Sequence, residues 1–429
     1  MAGVRVGIDF GTSNSAAALP GAGPGAAARV VPVDPAGEDR RLFRSVLYFP
    51  EGTHDVLAGA EAIERYLDEI DGRFIQSAKS FLPSTSFQST EIRRRSFRLE
   101  ELVAVVLRRM RERIEEAAGG PVERAVFGRP AVFSTDPEKD RVAEERLARA
   151  AELAGFPTPT FLIEPIAAAL GYEEALERDE IVLVGDFGAG TSDFTLMRLG
   201  PSYRAKADRR EDVVASTGVY VGGDNFDAAI VEKRLLRRFG EGTTYLALTQ
   251  RMPLPAWMTR KLLSWHEMAL LRERSTMEFL RRAQVTSDDP AALTNLVTLI
   301  EDNLAYHLYR SVEAAKRALG EAEEATVSFH EGPIAIDEVV RREEFEAWTA
   351  PLRAQLSAAV DRLLEQAQGV EPEAIFLTGG TSKIPSVRRI FEERFGAERI
   401  RSGDAFTSVV AGLGRAAAAE NLDDGGGAG

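Results

Sequence analysis

Residues 181–195 read IVLVGDFGAGTSDFT, and the fold is decided by how this stretch is read. Ile181, Val182, Leu183 and Val184 form a run too short for a helix and without alternation, the pattern of a strand buried on both faces. The run breaks at Gly185-Asp186 and continues through Phe187, Gly188, Ala189 and Gly190 to Thr191-Ser192-Asp193. Glycine permits a turn that other residues resist and lets backbone N–H groups come close to a ligand. Clustered N–H groups of this kind bind anions such as phosphate. Asp186 and Asp193 flank the same turn. A carboxylate beside a phosphate is repelled unless a cation lies between them, so the stretch predicts a metal as well as a phosphate. Taken by itself, it reads equally as a β-turn rich in Gly and Asp.

A second copy favours the first reading. Residues 4–15 read VRVGIDFGTSNS, again a β-rich run followed by Asp9-Phe10-Gly11-Thr12-Ser13. The shared core is Asp-Phe-Gly with Thr-Ser following, about one domain length apart. Two such hairpins facing one another would grip a polyphosphate from both sides.

Composition sets the outer bounds. A chain of 429 residues allows two to three domains with full cores. The apolar content of 44% and charged content of 28% are those of an ordinary globular chain. A net charge of −14 argues against nucleic acid as a main partner, because binding a phosphate backbone wants a basic surface. Cysteine is absent, which excludes disulfides and thiol chemistry. Asp9 interrupts the apolar N-terminal segment, so that segment does not read as a signal peptide. No apolar run approaches the length of a membrane span. The expectation is a cytoplasmic protein without a membrane partner, monomeric by default.

Along the chain, strands are expected over residues 4–10, from 16, over 30–33 and over 46–49, with a hairpin loop at 20–28. Strands followed by helices suggest an α/β lobe with a mixed sheet. Residues 60–67 and 99–118 read as helices, the second amphipathic. Between them Lys79 sits among small and apolar residues in FIQSAKSFL, either as a solvated surface group or as a functional one. A strand at 122–127 precedes a charged helix at 138–154 that ends at Gly155. Residues 160–163 lead to Glu164-Pro165 and an alanine-rich helix. Glu164 there is either a plain first-turn acid or a site residue. Gly222-Gly223-Asp224 opens another helix, a weak phosphate signal. Residues 245–283 are helical in tendency, with Trp257, Trp265 and Met268 as packing. One long helix is expected over 293–319. It carries Glu313, Lys316 and Arg317 at i, i+3 and i+4, an arrangement that by itself is an ion-pair ladder. A buried strand at 375–377 runs into Gly379, Gly380, Thr381, Ser382 and Lys383, then a helix over 386–395. This is not a P-loop, since G-x-x-x-x-G-K-[ST] is missing. Residues 409–420 read as the last helix and 423–429 as a disordered tail. His54, His266, His307 and His330 lack metal-ligand spacing, and no G-x-S-x-G elbow occurs.

The order of these motifs resembles the actin-like ATPases, and most of all the nucleotide-binding domain of the heat-shock protein 70 (DnaK) chaperones. The Asp9 hairpin, Glu164-Pro165, the Asp186 hairpin, Gly222-Gly223, the Glu313/Lys316/Arg317 helix and Gly379-Gly380 occur in that family's order. The likeness runs from Val4 to about Glu420. The short, YegD-type members are the most similar, through residues 77–82, 128–130 and 406–413.

This resemblance implies an α/β chain with a two-lobed actin-like ATPase fold, built on two ribonuclease-H-like mixed sheets with flanking helices around a nucleotide cleft. Lobe I would be residues 1–178 with 401–420, its upper subdomain 39–119. Lobe II would be 179–400, its upper subdomain 219–340, and 421–429 would be the disordered tail. The implied cofactors are ATP or ADP and Mg²⁺, with K⁺ as a further candidate ion. Asp9 and Asp186 would hold the metal, largely through water. Gly11, Thr12, Ser13 and Asn14 would meet the phosphates from one hairpin, and Gly188, Ala189 and Gly190 from the other. Lys79, Glu164, Asp186, Thr191 and Asp193 match the catalytic positions. Gly222, Gly223, Asp224, Glu313, Lys316, Arg317, Gly320, Gly379, Gly380, Thr381 and Lys383 match the remaining nucleotide contacts.

The residue types suit phosphoryl transfer, which is mainly positioning and charge neutralisation. Three departures bear on base selectivity. Lys383 stands where the chaperones carry an arginine, Gly320 where they carry a serine, and Phe406 where a ribose-side aspartate is usual. The sequence also stops just past the nucleotide domain, so coupling to a client peptide is not expected inside it. Three functions follow: a Mg²⁺-dependent ATPase of the chaperone family, of low activity or not, whose lobes close with nucleotide state; a nucleotide-gated binding module with negligible hydrolysis, serving an unidentified protein partner or client; and a small-molecule kinase of the same superfold.

Overall fold

The computed structural model describes residues 3–23, 26–68, 72–134, 136–173, 176–204, 206, 209–264, 268, 271–403 and 408–418. Trp265, His266, Phe406 and the tail at 421–429 lie outside the described residues. The chain divides into two compact units: Met1–Tyr220 with Leu356–Ser382 and Arg388–Gly429, and Val221–Gln355 with Lys383–Val387.

The first unit holds two mixed sheets that repeat one pattern. In the first, Val4–Asp9 forms an antiparallel hairpin with Asn14–Leu19, then pairs in parallel with Val122–Arg129, which pairs in parallel with Thr160–Ile163. Arg29–Val30 and Phe43–Arg44 extend the outer side of the hairpin. In the second, Glu180–Phe187 forms an antiparallel hairpin with Ser192–Leu199, then pairs in parallel with Ala374–Thr378, which pairs in parallel with Ile400–Ser402. Val213–Val219 lies on the far side of Ser192–Leu199. Val182, Leu183 and Val184 are fully buried, as their unbroken apolar run requires. The expected fold class is borne out in these sheets and in the helices that flank them.

Two helices cover the first sheet's core. Leu99–Ala118 buries Leu102, Val103, Val106, Leu107, Met110 and Ile114, one stripe at helical spacing. Pro137–Ala154 starts with proline, the side chain of Asp136 accepts from the N–H groups of Glu138 and Lys139, and the helix ends at Gly155 with φ of 89°. A third helix, Glu164–Glu173, is apolar nearly throughout and lies against Ser408–Ala418. There Gly412 sits so close to Ala167 that a Cβ would stand 1.7 Å from its carbonyl oxygen.

The second unit is helical with two antiparallel hairpins, Thr244–Ala247 with Gln250–Pro253, and Glu324–Glu331 with Ile334–Arg341. The first corrects the helical expectation over 245–283. Thr244 and Tyr245 favour strand, Leu248 takes φ of 56° in the turn, and helix resumes only at Ala256–Arg260 and Arg274–Thr286. The single helix expected over 293–319 is two, Pro290–Glu301 and Ala305–Ala318. Asn303, at φ of 55°, breaks it, since a short polar side chain tolerates the left-handed region. The strand expected over 30–33 stops at Val30, before Pro32, which cannot donate to a ladder. Among the described residues no helix is long and apolar enough to cross a membrane.

Candidate functional site

In the first unit the two hairpin turns differ in sequence but use the same device. After Asp9, the Gly11 N–H donates to Ser15 Oγ at 3.2 Å. A Cβ on Gly11 would stand 2.0 Å from the Asn14 carbonyl, so only glycine closes this turn. After Asp186, the Gly188 N–H donates to the Thr191 carbonyl at 2.9 Å. Asp186 and Asp193 are register partners across the second hairpin. Thr191 Oγ1 donates to Asp193 Oδ2 at 3.3 Å. Gly188 is exposed, while Ala189, Gly190, Thr12 and Ser13 are half-buried. Asn14, expected from sequence among the phosphate contacts, has its side-chain oxygen engaged by Arg44 at 2.8 Å.

Lys79 and Glu164 come together from separate elements. Lys79 lies in the short 3₁₀ turn Ala78–Phe81, and Glu164 is the first residue of the helix Glu164–Glu173. Their side chains pair at 2.7 Å and are 10% and 12% exposed. Burial works against the Lys79 charge, but Glu164 and Asp9 outweigh it, and its pKa is raised. The neighbouring carboxyls feel the opposite imbalance. Burial first, then Glu164, pushes Asp9 up to about 7. The same causes push Asp193 up to about 7. Asp186 is raised well above the ordinary aspartate range by burial, then by Glu164, Asp9 and Asp193. Four carboxyls thus share one ammonium.

Such a set is short of positive charge, which is the chemistry of a divalent cation site. Among the described residues no three acidic or histidine side chains converge closely enough to chelate an ion directly. Mg²⁺, which keeps several waters, would need only one or two of these carboxylates.

Sequence reasoning missed how Asp193 is held. Its Oδ1 accepts the Ala131 N–H at 3.1 Å. The loop carrying Ala131 is braced by Asp140, which accepts from the N–H groups of Phe133 and Ser134 and pairs with Arg129 at 2.8 Å. The signal was the acid-rich start of the helix after Pro130. Also in this unit, Gly379 takes φ of 88°, and a Cβ there would stand 2.1 Å from the Phe187 carbonyl. Ser382 Oγ donates to the Gly379 carbonyl at 2.6 Å; Gly380 is exposed and Thr381 buried.

In the second unit Lys316 is committed to the turn that opens the helix Gly223–Ile230. Its ammonium pairs with Asp227 at 2.7 Å and donates to the Gly223 carbonyl at 3.2 Å. Asp227 is the residue sequence reasoning passed over; it lies one helical turn beyond Asp224. Burial raises the Asp227 pKa, against the pull of Lys316. Burial and Asp227 push Asp224 up to about 7, although its side chain is exposed and solvent screens the interaction. The Gly222 N–H donates to Asn225 Oδ1 at 2.8 Å, capping this helix. Glu313 is half-buried, Arg317 and Lys383 are exposed, and Gly320 donates its N–H to the Arg317 carbonyl at 3.0 Å. A separate cavity of about 710 Å³, lined by Lys233, Arg234, Arg237, Arg238 and Glu338 among others, includes none of the expected site residues.

Comparison with known proteins gives one consistent match. The family model described as Hsp70 protein matches residues 5–245 and 294–420. The chain is 27% identical over 412 residues to the chaperone protein DnaK of Thermosipho africanus, covering 95% of this chain and 57% of that one. It is 25% identical over 414 residues to the chaperone protein DnaK of Thermus thermophilus, covering 92% of this chain and 58% of that one. The chain therefore spans under three-fifths of the length of these relatives. With its motifs in order and the family model matching most of its length, this chain belongs to the Hsp70 family.

Proposed function

We propose that the chain binds ATP with Mg²⁺ and hydrolyses it to ADP and phosphate. The observation that carries this reading is the buried Lys79–Glu164 pair set among Asp9, Asp186 and Asp193 beside two glycine turns. Backbone N–H groups of the two turns, with Thr12, Ser13 and Thr191, take the phosphate oxygens. Asp9 and Asp186 hold the metal through water, and Mg²⁺ when bound supplies charge neutralisation at the transferring phosphoryl group. Lys79 stabilises charge on the attacking water and the γ-phosphate. Glu164 fixes the Lys79 ammonium, and Asp193, tied to Ala131 and Thr191, orients the water. Glu313, Lys316, Arg317, Gly320, Gly379, Thr381 and Lys383 take the nucleoside end. Residues 1–178 with 401–420, and 179–400, are the corresponding lobes of this proposal.

Calorimetry of ATP with and without Mg²⁺, followed by phosphate release at saturating ATP, tests it. Absence of Mg²⁺-dependent ATP binding overturns it. A second reading, nucleotide-gated binding of a protein partner or client without turnover, is favoured by Gly320 and Lys383 at nucleoside positions. Tight binding with no phosphate release selects that reading.

A further inference from the structure

The hairpin Ser89–Ile92 with Arg95–Arg98 stands apart from everything above. Residues 89–98 read STEIRRRSFR, four arginines against one glutamate in a chain whose net charge is −14. Arg93, Arg94, Arg95 and Arg98 are all exposed. None of the four guanidiniums has a carboxylate within 4.0 Å among the described residues, whereas arginines elsewhere in the unit pair repeatedly. Two are held by aromatic rings instead. The Arg95 guanidinium lies 4.7 Å from the centroid of Phe97, and that of Arg93 lies 5.9 Å from the centroid of Phe49. The rings themselves meet edge to face at 5.3 Å. Arg93 also donates to the Thr53 carbonyl. A guanidinium resting on an aromatic face keeps its in-plane N–H donors free for a carboxylate fork.

The turn adds an independent reason. Arg93 and Arg94 take φ of 52° and 61°, the two left-handed positions of a two-residue hairpin. Those positions favour Asn-Gly or Asp-Gly, and a long side chain there is unfavourable. Among the described residues no hydrogen bond, ion pair or ring contact offsets the choice of Arg94 at the tip. A local rule broken without internal compensation points to use by something outside.

We propose that this arginine hairpin docks an acidic protein segment, a run of Asp and Glu on a partner. Carboxylates match the guanidinium fork, and a short run contacts the tip alone. A nucleic acid duplex or an anionic membrane would also meet the rest of a strongly negative chain, which repels it.

The test uses the full chain and three fluorescent or pelleted probes: a labelled ten-residue polyglutamate peptide, a labelled single-stranded oligonucleotide, and vesicles containing phosphatidylserine. The peptide should bind, weaken as salt rises from 50 to 300 mM, and lose at least tenfold in affinity with Arg94→Glu and Arg95→Glu together. ATP binding should stay at the wild-type level. Arg94→Gly should bind the peptide more weakly while raising Tm, which separates docking from folding. Peptide affinity unchanged by the double variant overturns the proposal, as does tighter binding of the oligonucleotide or the vesicles than of the peptide.

Discussion

Lys79 Nζ lies 2.7 Å from Glu164 Oε1, although 85 residues separate the two in sequence and each side chain is close to nine-tenths buried. A buried ion pair of this quality is held for a reason other than stability, because desolvation offsets most of its Coulombic gain. Lys79→Ala should lower phosphate release by about 10²–10³-fold, the effect of losing one preorganised charge-stabilising donor. ATP binding measured by calorimetry should change much less. Glu164→Gln should lower turnover with the same lysine still present, because its ammonium is then less firmly placed.

Lys316→Ala removes the cation beside buried Asp227. The folded pKa of Asp227 is already raised by burial, and without Lys316 it rises further. Between the unfolded value and that raised value, the folded state holds a proton that the unfolded state has lost. Stability therefore falls as pH rises through this window and levels off above it. The variant should lose about 3–5 kcal/mol near pH 8, the usual result of stranding a buried charge, and markedly less near pH 5. Adding Asp227→Asn should recover most of the loss. Urea denaturation at both pH values measures this.

Arg209 ties together Glu173, which is fully buried, and Asp212, at 2.8 and 2.7 Å. Arg209→Ala should destabilise the chain by about 3–5 kcal/mol, since fully buried Glu173 loses its main partner and Asp212 keeps only Lys206, at 2.6 Å. Replacing all three groups by apolar residues of similar size should cost less than the single change, a comparison that equilibrium unfolding reads directly.

Gly379→Ala should destabilise by roughly 1–3 kcal/mol from forced packing, on top of about 1 kcal/mol from its positive φ. The added Cβ meets the Phe187 carbonyl, so the second hairpin must move. A drop in Tm accompanied by weaker ATP binding is the expected outcome; a lower Tm with unchanged affinity would separate the two.

The parts of this architecture legible in sequence were those whose signal is local. The runs before Asp9 and Asp186 announce buried strands, and Gly155 and Pro165 mark helix ends and starts. Lys79 and Glu164 were ambiguous from their surroundings, and only the family's motif order raised them above surface groups. Their pairing joins the turn after Gly72–Gln76 to the end of Thr160–Ile163, elements of different sheets 85 residues apart, which no short window contains. Asp193's support from Ala131 was hidden for the same reason. The hairpin at 324–341 was legible and passed over: Val327, Phe329, Ile334, Ile336 and Val340 are buried at alternating positions around Gly332. The break at Asn303 was not, because neither glycine nor proline marks it.

The seam between Ala167 and Gly412 reaches further than packing. Glu164 opens the helix that this seam clamps, so a carboxylate central to the proposed chemistry is anchored by a segment almost 250 residues downstream that brings no reactive group of its own. Inserting a methyl at Gly412, or clipping away Ser408–Ala418, would disarm the centre from a distance while leaving every reacting side chain untouched in sequence.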